Sequence, residues 1–149
     1  MIEEAIEIRT SDGIADGFLY RAEGAGKLPG AIHLTDIGGI RPSHREMAKR
    51  LADKGYTVLM PNVFYRTAKP PVMDDKIPMG DPRRMQRFNE LRAPMTPDAV
   101  ERDGTAYVNF LAAHGSVSAT IPARCGVSLS TISIPLEIPI GAPGSSSTE

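Results

Sequence analysis

Short apolar runs separated by turn residues dominate the first part of the chain. Ile6 and Ile8 alternate with polar neighbours, a turn follows at residues 11–13, and Phe18 and Tyr20 then sit among small and polar residues. This alternation around a glycine-containing turn predicts a hairpin of two half-buried strands. The apolar run at residues 29–34 suits a third strand that is buried on both faces.

The next segment carries the signals of a helix followed by another strand. Ser43, with Glu46 three residues later, has the pattern of a capping box at a helix start. Apolar residues then recur at helical spacing, Gly55 marks the helix end, and residues 56–60 form another apolar run before Pro61. The order of strand, loop, helix and strand predicts a βαβ unit with parallel strands and a right-handed crossover.

A proline-rich loop and two more helices are predicted after this unit. Residues 66–82 contain four prolines, which indicates a long loop, and long loops in compact domains are often functional. Residues 85–91 suit a short helix. Thr96 and Pro97 suit the N-cap and first position of a longer helix, which Gly115 ends.

The composition changes abruptly after Gly115. Residues 116–149 hold eight serines and four prolines but only three charged residues. Pro135 and Pro139 interrupt an alternating isoleucine pattern and would remove donors from a strand ladder. We therefore predict an N-terminal part over residues 1–115 and an atypical Ser/Pro-rich tail over residues 116–149, of which residues 141–149 are disordered.

Charge and cysteine content exclude several classes of protein. The 17 basic and 18 acidic residues give a formal net charge of −1, which offers no electrostatic case for binding nucleic acid or an anionic membrane. No apolar stretch is long enough to span a bilayer, and the N-terminus lacks an apolar signal core. The single cysteine, Cys125, excludes an internal disulfide and fits a reducing cytosol. We expect a cytoplasmic protein.

Several linked motifs around the βαβ unit resemble the dienelactone hydrolase family of α/β-hydrolases. They are an acidic residue, an apolar residue and a glycine-containing turn within residues 33–40, the helix over residues 43–54, and the strand that runs into the segment 61–66. The resemblance covers roughly residues 2–115. It implies an α/β-hydrolase-like fold with a partial, mostly parallel sheet and flanking helices, in which the C-terminal half of the fold is missing.

The resemblance also implies a hydrolase of small esters or lactones that uses a Cys-His-Asp triad. Asp36 falls where the family usually has a glutamate that contacts the resting nucleophile. Ile37 falls at the position whose backbone N–H helps to form the oxyanion hole. The family holds a substrate carboxylate with an arginine that follows the fourth strand, and Arg83, Arg84 and Arg87 all lie in that region.

The family's Gly-x-Cys-x-Gly nucleophile motif is absent from the sequence. Cys125 is a weak candidate for the nucleophile because Arg124 precedes it, and Ser128 lies in a Gly-x-Ser-x-Ser segment. An α/β-hydrolase needs its histidine after the nucleophile, whereas the last histidine of this chain is His114. The triad cannot be completed in the family's order, so we expect an inactive, incomplete hydrolase.

Two other interpretations stay open. One is a non-catalytic α/β module that binds a ligand or partner through the loop after Leu34, and the other is a working hydrolase that uses Cys125 with an unconventional base. We expect no metal and no cofactor, since His33 and His44 have no ligand partners at helical or turn spacing. His33 suits a satisfied core residue and His44 a solvated one. An unpaired edge at residues 31–34 predicts self-association or aggregation.

Overall fold

The computed structural model describes residues 1–74 and 76–118. Over these ranges the chain forms a five-stranded sheet in the order β1-β2-β4-β3-β5, together with three helices. The elements are β1 (Ile2–Thr10), β2 (Gly13–Arg21), β3 (Leu28–Ile32), α1 (Pro42–Asp53), β4 (Thr57–Pro61), α2 (Pro82–Arg92), α3 (Pro97–Ala113) and β5 (Val117–Ser118). The rest of the predicted tail, with Cys125 and Ser128, lies outside the described residues.

The sheet is mixed, because an antiparallel hairpin is joined to a parallel βαβ unit. β1 pairs with β2 over their whole lengths, and β2 pairs antiparallel with β4. β3 pairs parallel with β4, to which α1 connects it, and parallel with β5 on its other side. The predicted hairpin, the βαβ unit and the α/β fold class are confirmed.

Helices cover both faces of the sheet. The cluster between α1 and the sheet contains Tyr20, Ile40, Ala48, Ala52, Val58 and Met60. The cluster between α3 and the sheet contains Ile6, Ile8, Ala15, Leu19, Leu59, Tyr107, Leu111 and Val117. All five residues of β4 are buried, since successive side chains of this strand enter the two clusters in turn. None of the helices in the described ranges is long and apolar enough to cross a bilayer.

One helix start matches its sequence signal and another does not. The Thr96 side chain accepts a backbone N–H at the start of α3, and Pro97 follows it, as predicted. The prediction that Ser43 caps α1 is wrong. The N-cap is Arg41, which is extended and makes no side-chain cap hydrogen bond. A residue that precedes proline is driven away from helical conformation, so α1 begins at Pro42 and Ser43 lies inside its first turn.

β3 is displaced towards the N-terminus relative to the apolar run that predicts it. The strand ends at Ile32, His33 adds one backbone hydrogen bond to Leu59 at 2.8 Å, and Leu34 is 36% exposed. Within the described residues, β5 pairs only with Leu28 and Pro29. Association of copies through the remaining edge of β3 stays a prediction.

An ion-pair network ties the hairpin turn to α3 and to the segment after β4. Arg66, whose side chain is 12% exposed, donates to Asp12 and to Asp103, each at 2.6 Å. Asp103 also accepts the Tyr65 hydroxyl at 3.0 Å, and Arg102 reaches Asp12 at 3.1 Å from the exposed side. The hydrogen bond from Arg66 is the main cause that holds the pKa of Asp12 below its usual range. The contact with Arg66 therefore favours the charged form of Asp12.

Replacing Arg66 by glutamine is expected to lower the free energy of unfolding by about 2 kcal/mol, because the buried Asp103 carboxylate loses its charged donor. Arg102→Gln is the matched control. It removes only an exposed contact to Asp12 and should change the free energy of unfolding by less than about 0.5 kcal/mol. Urea unfolding at pH 7 measures both values. Equal losses in the two variants would contradict the role assigned to Arg66.

Candidate functional site

The carboxyl ends of β3 and β4 bring two loops to one edge of the sheet. Because the two strands are parallel, the segments that follow Ile32 and Pro61 leave from the same edge. The hairpin turn lies there as well, since β2 runs antiparallel to β4 and pairs Gly17 with Pro61. Ligand sites in open α/β sheets lie at this edge. The candidate site is therefore built around residues 33–41, the β3 loop.

Asp36 is held in the β3 loop by an arginine and a backbone amide. Its carboxylate accepts hydrogen bonds from Arg41 Nη1 at 2.5 Å, from Arg41 Nη2 at 2.7 Å and from the Gly38 N–H at 2.9 Å. The Arg41 contact is the main cause that holds the pKa of Asp36 well below its usual range, and the Gly38 amide adds to it. Asp36 is thus an ionised acceptor at neutral pH, and its side chain is 54% exposed at this edge.

The backbone N–H of Ile37 makes no hydrogen bond to any described residue. The turn that contains Ile37 is closed by a hydrogen bond from the Gly39 N–H to the Asp36 carbonyl at 2.9 Å. The Ile37 side chain packs against the cluster that contains Phe64 and Val72. A residue that is anchored by its side chain, with an N–H left available, can donate to a developing oxyanion.

Val72 connects the β3 loop to a cavity on its far side. Gly39 has a φ of +68°, and a Cβ built on it would lie 2.5 Å from Val72 Cγ2. Glycine is required here both for its left-handed conformation and for this close approach. Val72 also lines a cavity of about 310 Å³, together with Met73, Arg83 and Arg87. The β3 loop and the cavity therefore share a wall.

Two of the three candidate arginines have surroundings that do not suit a ligand. Arg83 lines the cavity, but it is paired with Asp81 at 2.7 Å and its side chain is 73% exposed. Arg84 donates Nη1 to the Ile77 carbonyl at 2.6 Å and is not among the residues that line the cavity. Neither guanidinium is fixed towards the cavity.

Arg87 is fixed on the cavity wall. Its Nε donates to the Val72 carbonyl at 3.0 Å, and its Nη1 contacts the Glu90 carboxylate at 2.9 Å. Its Nη2 makes no hydrogen bond to a residue that the structure describes. The side chain is 32% exposed. A guanidinium held on two of its nitrogens keeps the third in a defined direction.

Two histidines lie behind Asp36, and the prediction that His44 is solvated is wrong. His44 is 7% exposed, its Nδ1 lies 3.0 Å from His33 Nε2, and its Nε2 lies 3.5 Å from the Asp36 carboxylate. The packing of α1 accounts for the burial, because His44 lies one turn before the buried Ala48, on the same face of the helix. His33 is only half-buried but has the polar partner expected of a core histidine. Burial, followed by the proximity of His44, lowers the pKa of His33.

Sequence reasoning singled out Asp36 and Ile37, which are adjacent on the β3 loop, but missed Arg41 and His44 as parts of the site. A carboxylate and an arginine on either side of a Gly-Gly turn, directly before Pro42, were the available signal for the Asp36 pair. The spacing of four residues between His44 and Ala48, on the face of α1 that is buried, was the available signal for the burial of His44. In the described ranges, no group of three His, Cys, Asp or Glu side chains is arranged to hold a metal ion.

The sheet topology and the loop at its carboxyl edge are those of an α/β-hydrolase. The model of the dienelactone hydrolase family matches residues 15–127, which is more than half of the sequence. The chain belongs to the dienelactone hydrolase family.

Individual relatives agree with this assignment. A carboxymethylenebutenolidase from Rhodococcus opacus is 39% identical over 49 residues, which make up 33% of this chain and 19% of that protein. A protein from Klebsiella pneumoniae subsp. pneumoniae MGH 78578, described as a dienelactone hydrolase, has a TM-score of 0.65 at 24% identity. The matched region covers 79% of this chain and 46% of that protein. A dienelactone hydrolase-like promiscuous phosphotriesterase from metagenomic libraries has a TM-score of 0.55 at 20% identity, with 81% and 47% covered.

These structural likenesses show the fold. The chain spans less than half the length of the two solved structures and about a fifth of the length of the curated relative.

Gly39→Ala is expected to destabilise the protein by about 2–4 kcal/mol, through left-handed strain and the clash with Val72. Gly24→Ala is the matched control, because Gly24 has a φ of +70° and open space around it. It should lose only the strain, about 1 kcal/mol. Thermal or urea unfolding of both variants gives the difference. If Gly39→Ala were no worse than Gly24→Ala, Val72 would not form the wall between the β3 loop and the cavity.

Proposed function

We propose that this chain carries the oxyanion-donor half of a hydrolase site for small esters or lactones. The observation that carries the proposal is the Ile37 N–H, which has no hydrogen-bond partner among the described residues. In α/β-hydrolases the loop after the third strand supplies one of the two oxyanion donors. Membership of the dienelactone hydrolase family supports a hydrolase-like function.

The proposed substrate is a small lactone or ester that bears a carboxylate. The Rhodococcus opacus relative is named for a butenolide, a lactone, with a carboxymethylene group. A cavity of about 310 Å³ is at the small end of the range for ligand sites. We place the lactone carbonyl at the β3 loop and the carboxylate on the other side of Val72, where Arg87 lines the cavity beside Asp74 and Glu90.

Among the three arginines we assign Arg87 to that carboxylate. Its Nη2 is available, and the Val72 carbonyl and Glu90 hold the guanidinium in place. Arg83 ranks second, because it lines the cavity but is committed to Asp81. Because Nε and Nη1 are engaged, the contact proposed for the carboxylate is a charge-assisted hydrogen bond from Nη2.

Asp36 takes the place of the family's glutamate with a different set of partners. Because Arg41 and the Gly38 amide hold its carboxylate, we propose that it orients the β3 loop and supplies negative charge near the nucleophile position. It does not act as a proton acceptor at neutral pH, since the Arg41 contact lowers its pKa.

We further propose that the chain by itself has no family-type turnover. No histidine follows Cys125 or Ser128 in the sequence, and the second oxyanion donor of the fold belongs to the residue after the nucleophile. Removal of a triad reduces turnover by a factor on the order of 10⁴–10⁶. The chain is then expected to bind the proposed substrate without hydrolysing it.

Binding is tested with carboxymethylenebutenolide as the probe, followed through backbone amide resonances in nuclear magnetic resonance. The Ile37 amide should shift on saturation, and Arg87→Gln should weaken binding by about tenfold or more, because a charge-assisted hydrogen bond is lost. Arg84→Gln is the matched control and should bind like the original chain. An unmoved Ile37 resonance would refute the donor role, and equal affinity of both variants would refute the assignment of Arg87.

Turnover is tested with a small activated ester and the purified chain. The rate of ester hydrolysis should not exceed that caused by free imidazole in solution, and it should not change in Cys125→Ala or Ser128→Ala. Saturable turnover that disappears in Cys125→Ala would instead establish the alternative hydrolase with an unconventional base.

A further inference from the structure

The imidazoles of His33 and His44 lie in a row between the half-exposed side of His33 and the Asp36 carboxylate. His33 Nε2 and His44 Nδ1 are 3.0 Å apart, and their ring centroids are 5.2 Å apart. On the other side of the second ring, His44 Nε2 lies 3.5 Å from the Asp36 carboxylate. That separation is long for a hydrogen bond, and Nε2 is fully buried without another partner among the described residues.

The position of one proton in this path is fixed by elimination. Only one of the two facing nitrogens, His33 Nε2 and His44 Nδ1, can carry a hydrogen. If His44 Nδ1 carried it, neutral His44 would present a bare Nε2 lone pair to the anionic Asp36 in a buried site, which is unfavourable. If His33 Nε2 carries it, neutral His44 is protonated at Nε2 and donates towards Asp36. The second arrangement satisfies both contacts.

The remaining nitrogen of the pair is the entry point for a further proton. His33 Nδ1 makes no hydrogen bond to a described residue and is not among the fully buried polar atoms, so water can reach it. A proton that binds there leaves the His33 Nε2 hydrogen free to pass to His44 Nδ1. The product is a neutral His33, now protonated at Nδ1, and an imidazolium at His44 beside Asp36.

We propose that His44 is a positioning residue for the β3 loop, and that the His33–His44 pair is a relay that delivers a single proton to the buried side of Asp36. Asp36 is then held by Arg41 on one side and by His44 on the other. Since Ile37 follows Asp36 directly, the charge on His44 sets the orientation of the Ile37 N–H. The consequence for an oxyanion rests on the proposed function, but the relay itself does not.

Among the residues that the structure describes, charged groups reach the surroundings of His44 from the β3 loop and from α1. The β3 loop contributes His33, Asp36 and Arg41. The neighbouring charged residues of α1 are engaged elsewhere, since Arg45 contacts Glu3 at 2.6 Å and Glu46 faces Lys49 at 3.7 Å. The N-terminal end of α1 disfavours a cation at His44, whereas Asp36 favours one. These two influences on a positive charge at His44 oppose each other.

The experiment is nuclear magnetic resonance of the full chain, with imidazole nitrogens, the Asp36 carboxyl carbon and the Ile37 amide followed from pH 8 to pH 5. At pH 8 both His33 and His44 should be protonated at Nε2. As the pH falls, the His44 ring, the Asp36 carboxyl and the Ile37 amide should shift with one common midpoint. His114, which contacts Ser116, is the internal control, and its ring signals should not follow those of the Ile37 amide.

Two pairs of variants separate positioning from mere packing. Glutamine in His44→Gln keeps a donor near the Nε2 position but does not titrate, so Ile37 should stay near its high-pH position and lose its pH response. Asparagine in His44→Asn lacks an atom there and should displace Ile37 at every pH. His33→Gln keeps the donor to His44 and should leave the His44 tautomer unchanged. His33→Ala removes that donor, so the His44 tautomer should no longer be fixed.

A His44 protonated at Nδ1 at pH 8 would overturn the proposal, and so would an Ile37 amide that does not respond to the histidine titration. These readouts need neither ligand nor turnover. A failure of the hydrolase proposal therefore leaves them unchanged, and a failure of the relay leaves the binding test of Arg87 unchanged.

Discussion

The parallel pairing of β3 with β4 is the constraint on which the rest of the structure depends. A parallel pair needs a crossover, and α1 supplies it on one face of the sheet. The crossover sends the chain out of β3 at the carboxyl edge, so the β3 loop and the segment after β4 must leave the sheet side by side. Gly39 and Val72 meet for that reason. The direction of the strands thus determines where the proposed site lies, and the side chains of the two loops determine its chemistry.

Two arginine–aspartate arrangements lie at this edge and differ in what they contribute. Arg66 and Asp103 are largely buried, with side chains 12% and 8% exposed, so losing one partner leaves a charge without compensation. Arg41 and Asp36 are more exposed, at 32% and 54%, and water screens much of their attraction. The second pair therefore contributes little to stability. Its effect is geometric, because a bidentate contact fixes the direction of the loop.

Periodicity and turn residues were sufficient to predict β1 to β4 and the three helices from sequence, but they predicted neither β5 nor the contacts between loops. The hairpin, the βαβ unit and the Thr96 cap follow from patterns that act within a few residues. The start of α1 was misplaced because the Ser43 signal competed with Pro42, whose effect on Arg41 is stronger. Asp36 and Ile37 were identified through resemblance to a family. The burial of His44 follows from its helical spacing to Ala48, but its contacts with His33 and Asp36 depend on how α1 packs against the β3 loop.

An oxyanion donor stabilises only charge that develops during a reaction, and this limits what half a site can do. One such donor contributes about 3–4 kcal/mol when a nucleophile has converted a carbonyl to a tetrahedral oxyanion. Against a ground-state carbonyl the same N–H is an ordinary hydrogen bond of about 1 kcal/mol. The role proposed for the Ile37 N–H therefore favours binding on its own, and it accelerates the chemical step only together with a nucleophile and a base.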